Sequence, residues 1–225
     1  MSHGCFVTGT DTGIGKTMAS CALLRALHAR GLRAVGMKPV ASGCEHIDGA
    51  WRNGDALALQ QASDPRPAYE DVNPFALPAA TAPQLAAREA GIAVTLAPIL
   101  AAHGRLAAQA DAVVVEGAGG WAAPLGEDIE HADLARVLGL PVVLVVGLRL
   151  GCLSHARLTA RGIQADGCRL AGWIGNRIDP AFDRVDGYIA LLRDALPAPC
   201  LGVLPHAPDA APDALATHLD IKAIP

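Results

Sequence analysis

A short loop near the N-terminus combines residue types that bind phosphate groups. The stretch "VTGTDTGIGKT" covers residues 7–17 and passes from an apolar strand end into Gly15, Lys16 and Thr17. It approximates the pattern of glycine, four residues and Gly-Lys-Ser/Thr, although Thr10 stands at the first glycine. N–H groups at a helix start attract anions, and glycines let the backbone curve around phosphates. The loop therefore predicts a nucleotide site where Lys16 reaches the β- and γ-phosphates and Thr17 ligates Mg²⁺.

The same loop is compatible with other roles. One is a glycine-rich turn between a strand and a helix, with Lys16 in solvent. A dinucleotide fingerprint is excluded because Gly9 and Gly13 are too far apart for G-x-G-x-x-G. Asp11 could contact a metal ion or fix the turn, and the residues alone do not decide between these roles.

Two acidic residues are candidates for the same metal ion. Glu116 ends the apolar strand "DAVVVE", and a strand-end acid lies near the metal in P-loop proteins. The alternative for Glu116 is an ordinary solvated acid. Asp55 lies in "RNGDALAL" at the start of a predicted helix, where it could either serve the metal or cap the helix.

A lysine and a serine follow the second predicted strand. In "MKPVASG", Lys38 comes directly after apolar residues, and Ser42 lies four positions further on. Lys38 could neutralise charge on a phosphoryl or carboxylate group, or it could be solvated. Ser42 could donate a hydrogen bond to the same ligand or form a turn.

The elements that must position these residues alternate between strands and helices. Such alternation predicts βαβ units, and hence an α/β fold with a mostly parallel central sheet covered on both faces, in a single domain over residues 1–225. Residues 64–83 are expected to be loop with at most short helical pieces. Strands are predicted in 5–9, 32–40, 111–120, 141–147, 169–178 and 199–208, and helices in 16–30, 52–62, 95–110, 131–140, 153–166 and 183–196. Polar residues follow five of these strands, so we expect a ligand site at their carboxyl ends.

The composition excludes several classes of protein. The net charge of −4 is not the basic footprint of a nucleic-acid binder, so no nucleic-acid partner is expected. The apolar runs are shorter than the roughly 18 residues of a membrane span, and the N-terminus does not resemble a secretory signal. Six scattered cysteines without a C-x-x-C pair indicate reduced thiols. We therefore expect a cytoplasmic protein without a membrane partner.

Six segments together resemble a known family. They are "FVTGTDTGIGKT", "KPVASG", "RNGDALAL", "VEGAGGW", "PVVLVVGLRLGC" and "LAGWIGN". In this order they are similar to the dethiobiotin synthetases, which are ligases of biotin synthesis. The resemblance implies a P-loop NTPase-like, three-layer α/β fold. It also implies a homodimer that uses ATP with Mg²⁺ to join CO₂ to 7,8-diaminononanoate. One amine becomes a carbamate, ATP phosphorylates it to a carbamic–phosphoric anhydride, and the second amine closes a cyclic urea.

The resemblance also assigns roles to individual residues. It implies that Lys16 and Lys38 stabilise charge during the reaction and that Mg²⁺ is held by Thr17, Asp55 and Glu116. Substrate binding falls to Ser42, Thr12, Gly151, Cys152, Leu153 and Ser154, of which the last four would serve a site at the dimer interface. Nucleotide binding falls to Thr12, Gly13, Ile14, Gly15, Lys16, Thr17, Asp55, Glu116, Gly117, Ala118, Gly119, Asn176, Pro205, His206 and Ala207.

A nucleotide switch is the alternative from another class. Partitioning-type P-loop ATPases share the wider fold and use ATP to dimerise and to bind a membrane or DNA. Their loops usually carry an additional lysine early, where this chain has Asp11. The chain also lacks a basic patch and a terminal amphipathic helix in its sequence.

Overall fold

The computed structural model of the protein describes residues 3–224. Strands and helices alternate over much of the chain, as the sequence predicts, but four strands follow one another within residues 34–52. The strands are β1 (His3–Gly9), β2 (Ala34–Met37), β3 (Val40–Ala41), β4 (Glu45–Ile47), β5 (Ala50–Arg52), β6 (Phe75–Ala76), β7 (Ala112–Glu116), β8 (Val142–Gly147), β9 (Leu170–Asn176) and β10 (Cys200–Leu204). The helices are α1 (Lys16–Ala29), α2 (Gly54–Ala62), α3 (Tyr69–Val72), α4 (Pro83–Ala90), α5 (Leu96–Gln109), α6 (His131–Leu138), α7 (Cys152–Ala165), α8 (Val185–Ala195) and α9 (Pro212–Ala216).

Six strands form one parallel sheet in the order β10-β9-β8-β1-β7-β2. The predicted mostly parallel α/β fold is thereby confirmed. Strand β7 lies between β1 and β2, although it follows them by many residues in the chain. Because the strands are parallel, their carboxyl ends meet at one edge, and the loops after β1, β2 and β7 become neighbours there.

Helices cover both faces of the sheet. Successive side chains of a strand point to opposite faces, and in β1 Cys5 and Val7 pack with α1, α2 and α9. Phe6 points to the other face, which is covered by α4, α5 and α6. Helices α7 and α8 extend that second layer over β8 and β9. Two buried faces explain why the strands are continuous apolar runs and not alternating ones.

The second predicted strand is shorter than expected. Residues 32–40 were predicted as one strand, but β2 ends at Met37, and β3 pairs with β6 in a separate two-stranded sheet. Pro39 has no N–H with which to continue a ladder. The N–H of Lys38 instead donates to the carbonyl of Val72 at 2.8 Å. Lys38 consequently leaves the sheet at the edge where the other strand ends meet.

Some elements were not predicted. Residues 45–52 form the antiparallel hairpin β4–β5, and α4 begins at Pro83. The segment 64–83 contains α3, which confirms the expected short helical piece. It also contains the strand β6, which was not predicted. No helix within residues 3–224 has the length and apolar character needed to cross a bilayer.

Candidate functional site

The loop between β1 and α1 has the backbone shape of an anion cradle. Gly13 and Gly15 have φ angles of 72° and 81°, in the left-handed region that favours glycine. Gly15 is the N-cap of α1 and offers no side chain to cap it. The first turn of α1 also lacks an acidic residue. The helix start can therefore donate its free N–H groups to an anionic ligand.

Asp11 holds the first half of this loop. Its Oδ1 accepts from the N–H of Thr12 at 2.7 Å, and its Oδ2 pairs with Arg149 at 2.6 Å. Its backbone carbonyl accepts from Nζ of Lys16 at 2.8 Å. Of the two roles that the sequence left open, the structure supports fixation of the turn. The ion pair with Arg149 also joins the loop to the segment after β8.

Asn176 holds the second half of the loop. Its Nδ2 donates to the carbonyl of Ile14 at 2.9 Å, and its side chain lies against Gly15. The N–H of Leu148 donates to the backbone carbonyl of Asn176 at 2.7 Å. Asn176 thus ties the end of β9 to the cradle, and its predicted place beside adenine stays a prediction.

A compact charged cluster lies next to the cradle. Nζ of Lys38 is 2.6 Å from Oε1 of Glu116 and 3.1 Å from Oδ2 of Asp55. The hydroxyl of Thr17 donates to the same Oε1 of Glu116 at 2.9 Å. These groups meet because α1, β2 and β7 end or begin at neighbouring places along the sheet edge. Glu116 is fully buried, so the alternative of a solvated strand-end acid is wrong.

The charges of the cluster change one another's acidity. Burial lowers the pKa of Lys16, and the nearby Lys38 lowers it further. Burial also acts to lower the pKa of Lys38, but the carboxylates of Glu116 and Asp55 outweigh it and raise that pKa. Burial acts to raise the pKa of Asp55, yet Lys38 shifts it below the ordinary value. Lys38 and Asp55 therefore remain a charged pair at neutral pH.

The helix that carries Asp55 is capped by another residue. Oδ1 of Asn53 accepts from the N–H groups of Asp55 and Ala56 at 3.0 and 3.3 Å. The alternative of Asp55 as a helix cap is therefore wrong, and its carboxylate is available to Lys38. Asn53 was missed in the sequence, although an asparagine directly before a helix is a strong N-cap signal.

A buried hydrogen-bond chain links Asn53 to the backbone of Lys38. The N–H of Asn53 donates to the hydroxyl oxygen of Tyr69 at 2.7 Å, and that hydroxyl donates to Oδ1 of Asn73 at 3.1 Å. Nδ2 of Asn73 donates to the carbonyl of Lys38 at 2.7 Å. Tyr69 and Asn73 thereby couple the start of α2 to Lys38. Neither was predicted, because both lie in the segment expected to be loop.

The cradle and the charged cluster line one cavity. Its volume is about 400 Å³. Its lining residues are Thr12, Gly13, Gly15, Lys16, Thr17, Lys38, Ser42, Asn53, Asp55, Glu116, Ala118 and Gly119. Most of the predicted phosphate and metal residues are thus brought together, and Ser42 is among them. Only Asn53 was not predicted to lie here.

The remaining predicted site residues are not part of this lining. Ile14 is buried below the cradle. Gly151 is the N-cap of α7 with a φ of 94°, and Cys152, Leu153 and Ser154 form the first turn of that helix. Beyond β9 and β10, Nδ1 of His206 lies 3.1 Å from the carbonyl of Arg177, and Pro205 and Ala207 flank it.

A buried histidine supports the loop after β7. Nε2 of His131 accepts from the N–H of Ala118 at 3.0 Å, and Gly117 lies directly against the ring. The ring is fully buried, stacks on Trp121 and meets the edge of Phe6. The sequence does not indicate this role, because His131 reaches Ala118 only through the packing of α6 over the end of β7. Burial lowers the pKa of His131 to about 4, so the ring is neutral and can accept.

We predict that His131 makes the folding free energy depend on pH. Its ring titrates near 6.5 when unfolded and near 4 when folded, so at pH 5 only the unfolded state binds the proton. Unfolding is then favoured as the pH falls, and this residue's share from pH 7 to pH 5 is about 2 kcal/mol. Urea unfolding of the wild type and His131→Gln at both pH values measures it. Glutamine keeps an acceptor for Ala118 and does not titrate, so an equal pH dependence in both proteins would contradict this prediction.

The donors of the cluster suit a hard cation. Mg²⁺ prefers oxygen ligands, usually keeps several waters and is often completed by substrate phosphates. The hydroxyl of Thr17 and the carboxylates of Asp55 and Glu116 supply such oxygens. Oε2 of Glu116 is buried and has no hydrogen-bond partner among the described residues. Within residues 3–224, no group of three His, Cys, Asp or Glu side chains is arranged to hold a metal ion.

The fold and the site together define a P-loop nucleotide-binding protein. The model of an AAA domain family matches residues 3–214. A ParA family ATPase from Chlorobium tepidum matches with a TM-score of 0.57 at 14% identity, covering 97% of this chain and 91% of its own. A chain of the MinC:MinD cell division protein complex of Aquifex aeolicus matches with a TM-score of 0.54 at 17% identity, covering 92% of this chain and 82% of its own. These structures show the shared fold alone.

Closer relatives narrow this class to one family. A protein of Xylella fastidiosa strain 9a5c named ATP-dependent dethiobiotin synthetase BioD is 64% identical over 203 residues, which is 90% of each chain. A protein of the same name from Xanthomonas euvesicatoria is 60% identical over 222 residues, or 98% of this chain and 99% of its own. The chain belongs to the dethiobiotin synthetase family, as the six sequence segments predicted.

Proposed function

We propose that this protein is an ATP-dependent ligase that converts 7,8-diaminononanoate and CO₂ to dethiobiotin. The observation that carries the proposal is the convergence of Lys16, Lys38, Thr17, Asp55 and Glu116 on one cavity in a member of this family. The cavity joins an anion cradle to a buried lysine and two carboxylates. Those are the groups that the transfer of a phosphoryl group to a carbamate requires.

The reaction balances in three steps. One amine attacks CO₂ and loses a proton, which gives a carbamate. A carbamate oxygen attacks the γ-phosphorus of ATP and ADP leaves, which gives a carbamic–phosphoric anhydride. The second amine attacks the carbonyl carbon and loses a proton, phosphate leaves, and the urea ring closes. Phosphorylation is needed because the carbamate oxygen is a poor leaving group, whereas phosphate is a good one.

The residues of the cavity divide these tasks. We assign the cradle N–H groups and Lys16 to the ATP phosphates. Lys38 would stabilise negative charge on the carbamate and on the moving phosphoryl group. Thr17, Asp55 and Glu116 would hold Mg²⁺, which when bound neutralises charge on the β- and γ-phosphate oxygens. Ser42 and Thr12 would orient the diamine, and Asn176 with residues 205–207 would border the adenine.

We further infer that the enzyme works as a cytoplasmic homodimer. All six cysteines are free thiols, which fits a reducing compartment. The first turn of α7 presents Gly151 through Ser154 next to Leu150, whose surface is 78% exposed. Leu158 on the same helix is 61% exposed. A second copy that covers these leucines would bring the start of α7 of one protomer near the cavity of the other. The N–H groups at this helix start could then receive the distant carboxylate of the substrate.

The deciding experiment follows ADP release. We expect purified protein with ATP, Mg²⁺ and bicarbonate to release ADP only when the diamine is present, and mass spectrometry to show one dethiobiotin per ADP. A matched control is 1,7-diaminoheptane, whose distant amines cannot close a five-membered urea. Absence of diamine-dependent ADP release would refute the proposal.

A partitioning-type ATPase switch is not favoured. The synthetases match at about 60% identity, whereas the ParA family structure matches at 14%. A switch would hydrolyse ATP without the diamine and would change its oligomeric state with the nucleotide. Both properties are measured in the same ADP assay when it is combined with light scattering.

A further inference from the structure

We propose that the ammonium group of Lys38 is an internal counter-ion that occupies the cation position between Asp55 and Glu116, and that an entering divalent metal ion displaces it into the cavity. This inference rests on the proposed function, because that function assigns the two carboxylates to Mg²⁺. It adds an exchange of cations at the site, in which metal binding releases the lysine for chemistry.

The geometry places the ammonium where the metal ligands converge. Nζ of Lys38 lies 2.6 Å from Glu116 and 3.1 Å from Asp55, and the hydroxyl of Thr17 is bonded to the same oxygen of Glu116. A magnesium ion needs these oxygens at about 2.0–2.1 Å. The ammonium and the ion cannot both fill this position, because their charges repel at such a distance.

The burial of the cluster explains why a cation must be present without the metal. Glu116 is fully buried, and an unpaired buried carboxylate is strongly unfavourable. Lys38 is the only cationic side chain of residues 3–224 within ion-pair distance of either carboxylate. Lys16 lies in the same cavity, but its ammonium is bonded to the carbonyl of Asp11. Lys38 therefore compensates the charge that the metal would otherwise compensate.

The backbone of Lys38 restricts how it can move. Its N–H donates to Val72 and its carbonyl accepts from Asn73, so the main chain is held on both sides. The movement must then occur within the flexible side chain. The cavity of about 400 Å³ that Lys38 shares with Ser42 and the cradle offers the room for it. A displaced ammonium would lie where the transferring group is bound.

Metal affinity without nucleotide tests the exchange directly. We expect Lys38→Met to bind Mn²⁺, detected by electron paramagnetic resonance, with a dissociation constant about tenfold or more below that of the wild type. The matched control is Lys16→Met, which removes the same charge from the same cavity but no contact to a carboxylate. It should change the constant by only about twofold to threefold. Equal effects of the two substitutions, or no tighter binding by Lys38→Met, would overturn the proposal.

A measurement on the wild type keeps the test valid if Lys38→Met does not fold. The chain has only three lysines, Lys16, Lys38 and Lys222, so their ammonium signals can be resolved after ¹⁵N-lysine labelling. We expect the Nζ signal of Lys38, detected through the neighbouring side-chain CH₂ protons so that exchange with water does not remove it, to move as Mg²⁺ is added. The signal of the exposed Lys222 should stay constant. A Lys38 signal that is unchanged at saturating Mg²⁺ would refute displacement.

Failure of this inference is distinguishable from failure of the proposed function. Suppose that ADP release depends on the diamine, but the Lys38 signal does not change with Mg²⁺ and Lys38→Met does not bind Mn²⁺ more tightly than the wild type. Then only the proposed exchange is wrong. If ADP release does not depend on the diamine, the proposed function is wrong, whatever the metal affinities are.

Discussion

Replacement of Lys16 by alanine is expected to lower diamine-dependent turnover by about 10²–10³-fold. Lys16 is only 7% exposed to solvent and lines the cavity where the ATP phosphates are proposed to bind. Its loss removes a fixed positive charge from a site where water cannot substitute well. The fold should change little, because within residues 3–224 the side chain of Lys16 gives up only its hydrogen bond to the carbonyl of Asp11. Turnover and the melting temperature are the two measurements.

Lys222→Ala is the matched control for this substitution. Lys222 is the one lysine of the chain outside the cavity, and its side chain is 90% exposed. Its replacement should leave turnover unchanged. If Lys16→Ala retained the activity of Lys222→Ala, Lys16 would have no part in charge stabilisation.

Replacement of Glu116 by glutamine is expected to lower turnover by a similar factor of about 10²–10³. Glutamine has nearly the same shape, so the substitution tests the charge of this side chain and not its packing. Without that charge Lys38 retains only Asp55, and the proposed metal loses an anionic ligand. We therefore also expect half-maximal activity to require more Mg²⁺. Steady-state kinetics over a range of Mg²⁺ concentrations measures both effects.

Glu127→Gln provides the corresponding control on the surface. Glu127 pairs with Arg88 at 2.8 Å, and both side chains are largely exposed. Exposed ion pairs contribute little to stability, about 0–1 kcal/mol. The control should therefore keep both turnover and the Mg²⁺ requirement of the wild type. A Glu116→Gln protein that behaves in the same way would contradict the metal assignment.

Short sequence motifs predicted most residues that line the cavity, because the conformation of each motif depends on residues that are adjacent in the chain. Gly15, Lys16 and Thr17 shape and line the cradle by themselves, since glycine conformation and a helix start are local properties. Lys38 and Glu116 were predicted because each ends an apolar strand. The parallel sheet then brings such strand ends to one edge, which is general for α/β folds.

The contacts that support the cavity were not predictable in the same way. Tyr69 and Asn73 act on Lys38 across 30 or more residues, and no pattern of spacing indicates such a contact. His131 supports Ala118 only because α6 packs over the end of β7. Asn53 was the exception, since its position before a helix carried a local signal. Long-range hydrogen bonds depend on strand order, which periodicity does not specify.

The order of the strands determines when this protein can first become active during its synthesis. Strand β7 inserts between β1 and β2, so the ribosome must add about 80 residues after β2 before the gap can be filled. Until then β1 and β2 lack the strand that pairs with both of them, and Lys38 lacks its ion-pair partner Glu116. A nascent chain released before residue 116 would hold the phosphate loop without the carboxylate that completes it, and its unpaired strand edges would favour aggregation.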